Sequence, residues 1–264
     1  MIRFATLRRT AFALTILLAA PTAMAQDTMP PPLAPPLARP PVFGGSAEKI
    51  ANPQPDNPAY GDLLTAIEST VDMTLMIDNG LAAIRRQMVA NSDLAGAEAA
   101  SPGILDEILT TMRPVLERQN KRVTAQYRPL MAAAMADYLT PAEAGSVAAF
   151  YRSDIGRRLM GNVVKNFDMD QTMAKAVSEA PVTEADVNAD IVNAVTKGMQ
   201  GMDAADMAEM GKQAMANPAL LKLQRINPQI QRLRAQMENE PLTPEEDAAI
   251  GAAIESIFAK RFGQ

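Results

Sequence analysis

Residues 138–160 read YLTPAEAGSVAAFYRSDIGRRLM, and this run decides the fold class. Thr140 stands three places before Glu143, the pattern of a capped helix start. The threonine oxygen takes the amide of the third helical residue, and a glutamate there reaches back to the threonine amide. Pro141 falls at the first helical position, where a missing N–H costs nothing. Val147, Phe150 and Tyr151 follow at helical spacing and put an aromatic anchor on the buried side. Ser153 is placed to end that helix and to cap the next, so two helices should meet at a sharp corner. Gly156, three residues on, would let the two backbones approach closely.

The same grammar extends outward. Thr183-Glu184-Ala185-Asp186 and Thr243-Pro244-Glu245-Glu246 repeat the cap, with Asp186 shorter than the preferred Glu or Gln. Leu64, Ile67, Val71 and Leu75 step by three or four, as do Ile77, Leu81, Ile84 and Met88. Asp78-Asn79-Gly80 reads as the end of one helix and the start of another. Ser101-Pro102 reads as an N-cap with proline at the first helical position, opening a helix through Leu105, Leu109, Met112 and Leu116 to Val123, Tyr127 and Leu130. Pro114 and Pro129 are expected to bend or divide it. Asn217-Pro218 opens a helix carrying Leu220, Leu223, Ile226, Ile230, Leu233 and Met237. No window alternates like a strand. The fold class is all-α, a bundle of antiparallel helix hairpins.

Two of these starts belong to a longer match at an offset of 103 residues. Leu139-Thr140-Pro141 aligns with Leu242-Thr243-Pro244, Glu143 with Glu246, Val147 with Ile250 and Ser153 with Ser256. Ile155 then meets Phe258, Arg157-Arg158 meets Lys260-Arg261, and Leu159 meets Phe262. Upstream, Val123, Tyr127 and Leu130 fall on Ile226, Ile230 and Leu233. The match reads as a diverged duplication of one helical unit, and it predicts a second corner at Ser256.

The first copy, Tyr138-Leu139-Thr140-Pro141-Ala142-Glu143 followed by Phe150-Tyr151-Arg152-Ser153-Asp154-Ile155-Gly156-Arg157-Arg158, resembles the family catalogued as domain of unknown function 2059. Its hallmark is an aromatic-x-Thr-x-x-Glu start, then Phe-Tyr-x-Ser-x-x-Gly and basic residues. The close match covers about 138–160, with a looser helical likeness from about 60 to 180. The resemblance implies an exported helical bacterial protein, and the family brings no established activity. The second copy departs from the hallmark, with Ala253-Ile254 for Phe-Tyr and Ala259 for Gly.

The N-terminus reads as an address. Arg3, Arg8 and Arg9 precede an uncharged run of 16 residues, Thr10–Ala25, ending in the small-x-small site Ala23-Met24-Ala25. That is a signal peptide with cleavage expected after Ala25, and the run is too short and too interrupted by Pro21 for an anchor. Arg8-Arg9 leaves general secretory and twin-arginine export both open. Residues 30–41 (PPPLAPPLARPP) are mostly proline, and Pro53, Pro55 and Pro58 follow, so 26–57 reads as a Pro-rich, disordered spacer. A helical domain is expected over 58–180 and a second helical unit over 181–264. The location read from this order is the periplasm.

Composition limits the chemistry. The 264 residues include no His, Cys or Trp, which removes imidazole and thiolate catalysis, disulfides and the usual zinc sites. Cleavage after Ala25 takes three of 25 basic residues and none of 30 acids, moving the net charge from −5 to −8. An acidic, exported chain is a poor nucleic-acid binder, because phosphate contact depends on clustered lysines and arginines. No cofactor is implied. Sixteen of 18 methionines survive cleavage; Met199, Met202, Met207 and Met210 are thioether candidates for Cu(I) or Ag(I), or else flexible core fillers. Gly198, Gly201 and Gly211 mark that segment as mobile. The acidic turn Glu245-Glu246-Asp247 is the candidate for a carboxylate-dependent hydrolase. As the rival to a purely structural motif with solvated basic residues, Tyr151, Arg152, Arg157 and Arg158 form a candidate edge for an anion or an acidic partner. The favoured expectation is a non-catalytic interaction or structural module, docking an envelope protein or an amphipathic ligand in a helical groove; its oligomeric state stays open.

Overall fold

A computed structural model describes residues 49–178 and 180–263. Eleven helices and no strand occur among them. In chain order these are α1 (Pro58–Glu68), α2 (Met73–Ala90), α3 (Ser92–Ala100), α4 (Ile104–Ala136), α5 (Pro141–Arg152) and α6 (Asp154–Lys165). There follow α7 (Asp170–Val177), α8 (Glu184–Gln200), α9 (Ala204–Ala216), α10 (Pro218–Glu238) and α11 (Pro244–Phe262). The chain is an all-α helical bundle. The expected signal segment, and the proline-rich run up to residue 48, lie outside the described residues. No helix among the described residues is long and apolar enough to cross a membrane.

The bundle is organised on α4, 33 residues and so about 50 Å long. Helices α1, α2, α10 and α11 lie against it, α1 lies along α5, and α8 lies along α6. Helices α4 and α11 run antiparallel, because Arg122 meets Glu246 while Glu107 meets Lys260 and Arg261. Buried side chains before and after residue 181 form one continuous core. Residues 49–57 also make defined contacts. Lys49 pairs with Asp137 at 2.7 Å, the Ile50 amide donates to the Asp137 carbonyl, and Asn57 caps α1.

Several boundaries differ from the sequence reading, each for a local reason. Pro114 and Pro129 do not divide α4. Both are exposed, and so are Thr110 and Ala125, whose carbonyls lose their helical donor; water can satisfy them. Asp78-Asn79-Gly80 lies inside α2. Asp78 pairs with Arg113, Asn79 donates to the Val164 carbonyl at 3.0 Å, and Gly80 is buried. The break falls earlier, where Asp72 caps α2. Ser101-Pro102 is not the start of α4: Gly103 is the cap residue at φ 87°. There the Glu98 carboxylate, from α3, accepts the amides of Gly103 and Leu105 at 3.0 and 3.1 Å. Leu130, read as core, is 49% exposed.

Candidate functional site

The corner forms as its residues dictate. The Glu143 amide donates to Thr140 Oγ1 at 3.3 Å and the Thr140 amide donates to Glu143 Oε2 at 2.8 Å. Glu143 Oε1 also meets Lys222 of α10 at 2.6 Å. Burial alone would raise this carboxyl; Lys222 and the Thr140 N–H and hydroxyl outweigh it and hold it below the usual carboxylate range. At the far end of α5, Ser153 turns the chain with ψ 161°. Its hydroxyl donates to the Phe150 carbonyl at 2.7 Å and accepts the Gly156 amide at 3.1 Å, closing α5 and opening α6 with one side chain. A Cβ on Gly156 would overlap the Phe150 carbonyl oxygen and lie 3.0 Å from Tyr151 Cα. Both neighbours are backbone and cannot step aside. Beneath the corner, Phe150 and Tyr151 pack edge to face with centroids 5.5 Å apart.

The expected second corner does not exist. Helix α11 runs unbroken from Pro244 to Phe262, through Ser256. Its start reproduces the capping box in full, and Ile250 and Ile254 are buried like Val147 and Tyr151. The likeness ends where a corner would demand glycine, because Ala259 carries the Cβ that Gly156 lacks. Beyond that point Phe262, the counterpart of buried Leu159, is 38% exposed.

The corner presents an open cleft of about 490 Å³. Its floor and one wall are Arg152, Ser153, Asp154, Ile155, Arg157 and Arg158; Glu209 and Gln213 of α9 form the other wall. Arg152 grips Asp62 of α1 with two nitrogens, Arg157 pairs with Asp154 and donates to the Arg152 carbonyl, and Arg158 holds Asp206 of α9 at 2.7 and 3.2 Å. Hydrogen bonding from Arg152 holds the Asp62 carboxyl below its ordinary range. All three guanidinium side chains are about half exposed. Tyr151 is not part of this edge. It is wholly buried, its phenol pushed up by burial, because the i+1 step from Phe150 turns it under the corner.

Glu246 and the four candidate methionines are engaged in structure. Burial would raise the Glu246 carboxyl, but Arg122, at 2.8 and 3.3 Å, and the Thr243 amide hold it below the usual range. A hydrolase acid needs the opposite shift. Met210 and Met202 are buried in the core, and Met199 and Met207 pack against it. Gly198 is a packing glycine, since a Cβ there would lie 2.9 Å from the Val163 amide nitrogen of α6.

Two features escaped the sequence reading. Asp190 of α8, buried, accepts the amides of Gln171 and Thr172 at 3.0 and 2.9 Å and so caps α7 from another helix. Burial pushes its carboxyl up against those bonds. Along α4 and α10, Gln119, Asn120, Gln231, Arg234 and Glu238 are buried. Burial brings the Arg234 guanidinium down to about 10, with Glu238 pulling the other way. The only signal was spacing: Gln231, Arg234 and Glu238 continue the helical steps of Leu220 and Leu223.

No family model matches the chain. No curated protein and no solved structure matches it either.

Proposed function

We propose that this chain is a non-catalytic interaction module of the cell envelope, working from the cleft at the α5–α6 corner. The observation that carries the reading is the set of three half-exposed arginines held on one corner, each paired with an aspartate. Exposed ion pairs of this kind are screened by water and salt, so a partner's carboxylates can replace the intramolecular ones at little cost. The Ser153 hydroxyl, bonded to the Phe150 carbonyl and the Gly156 amide, fixes the corner that carries them. The partner class is an acidic segment of an envelope protein or an anionic amphipathic ligand. Export to the periplasm through the N-terminal signal belongs to the same reading, together with the resemblance carried by residues 138–160.

The test is site-specific photo-crosslinking in intact cells. A photoreactive residue at Gln213 should give discrete adducts, one at Val89 on α2 should not, and Arg152→Glu with Arg158→Glu should abolish the Gln213 adducts. Adducts that survive both charge reversals would remove the cleft from consideration. N-terminal sequencing of the exported chain should begin at Gln26; retention of Met1 in the cytoplasm would overturn the location.

A further inference from the structure

Helix α9 is fastened unlike its neighbours. Of its 13 residues only Met210 is buried, and its main contacts are with α6 and α10. Its two ends, in contrast, are pinned. Met202 is buried just before it, and Asn217 just after it is tied to Ser146 of α5 by two hydrogen bonds, 2.9 and 3.1 Å. Between those anchors the helix is held by the buried Met210, by Met207 partly buried against the core, and by the Arg158–Asp206 pair, whose arginine side chain is 52% exposed. A segment with so few buried apolar side chains opens locally well before the whole chain unfolds.

We propose that α9 is a detachable strap over the cleft, and that its place is taken by a partner's amphipathic helix. When α9 lifts, Arg158 loses Asp206 and the socket of Met210 opens beside it, so the cleft becomes basic and apolar together. The chemistry that fits is already written in α9: an acid, Asp206, followed four residues later by a large flexible apolar side chain, Met210. Residues four apart share a helix face, and docking one apolar stripe in a groove is a general mode of helix recognition. The occupant therefore carries a carboxylate and, one turn on, a methionine or leucine. The identity of the occupant rests on the interaction reading above; the opening of α9 does not, and is measured without any partner.

The test uses the full chain in two ways. Hydrogen exchange of the unmodified protein should show the α9 amides exchanging at least ~100-fold faster than those of α4 and α6. Exchange of α9 in step with α4 and α6 would overturn the strap. Because the chain has no cysteine, Met210→Cys and Met160→Cys each supply a single buried thiol. Labelling at 210 should be at least ~10-fold faster than at 160, on α6, and faster again with Arg158→Gln or added salt. Equal rates at the two positions would also overturn it. A synthetic peptide of residues 203–217 should raise the labelling rate at 210 at least ~2-fold by occupying the groove and holding α9 away, while the same peptide carrying Asp206→Ala and Met210→Ala should leave that rate unchanged. A strap that opens while the natural peptide has no effect would remove the helical occupant and leave the opening standing.

Discussion

Residues 140–159 and 243–262 begin alike and end differently. Both open with Thr-Pro and a glutamate at the third helical position, both form a complete capping box, and both bury an aliphatic residue seven places after the threonine. Both then have a serine at the same register. At Ser153 the chain turns into a new helix; at Ser256 it stays helical. Serine is therefore permissive and Gly156 decisive, since only a residue without Cβ can lie against the Phe150 carbonyl. The neighbours follow suit: Asp154 suits the first turn of a new helix, whereas its counterpart Ile257 is buried within a continuing one.

The largest expected effect of breaking this contrast is at the glycine. Gly156→Ala should cost about 3 kcal/mol or more, because the clash is with backbone on both sides. Ala259→Gly, on the exposed side of α11, should cost only about 0.5–1 kcal/mol. Urea unfolding of the two variants reads both values. Next comes the other close contact, where Gly198→Ala forces α8 away from Val163 and should cost roughly 1–3 kcal/mol. The two caps are expected to be alike: Thr140→Ala and Thr243→Ala should each lower stability by about 1 kcal/mol. Unequal losses would show that the shared start is not used equally.

The acid limb sharpens the comparison further. Glu143 and Glu246 have carboxyls held below their ordinary 4.5, so their contribution is complete above that value and is lost as pH falls through the depressed ones. Asp190 has the opposite sign. Its raised carboxyl favours the folded state most below its ordinary 3.8, and that contribution fades as pH rises through the raised value. Thermal melts between pH 3 and pH 7, roughly the span in which carboxylates titrate, should show Glu246→Gln flattening the acid loss and Asp190→Asn steepening it. The smallest effect is expected at the cleft, where Arg152→Ala should leave the unfolding midpoint unchanged.

What was legible in the sequence was what is local. A threonine oxygen finding an amide three residues on needs no knowledge of the rest of the chain, so all three capping boxes and the Ser153 corner could be read. The start of α4 could not, because its cap is Glu98 on the preceding helix and the register depends on a left-handed Gly103. Asp78-Asn79-Gly80 has the composition of a break, yet its side chains are bound by α4 and α6, and tertiary contact overrides the local signal. Of the candidate site, Arg152, Arg157 and Arg158 were found because they cluster in sequence. Their partners Asp62 and Asp206, and the opposite wall on α9, come from 48 to 90 residues away and left no mark in the pattern. Tyr151 was legible as a buried anchor beside Phe150, and its burial takes it out of the rival edge formed by Arg152, Arg157 and Arg158.

Backbone carbon chemical shifts at Ser153 and Ser256, measured on the same labelled sample, test the central claim most directly. The account predicts an extended signature at Ser153 and a fully helical one at Ser256. Helical shifts at both serines, or extended shifts at both, would contradict it.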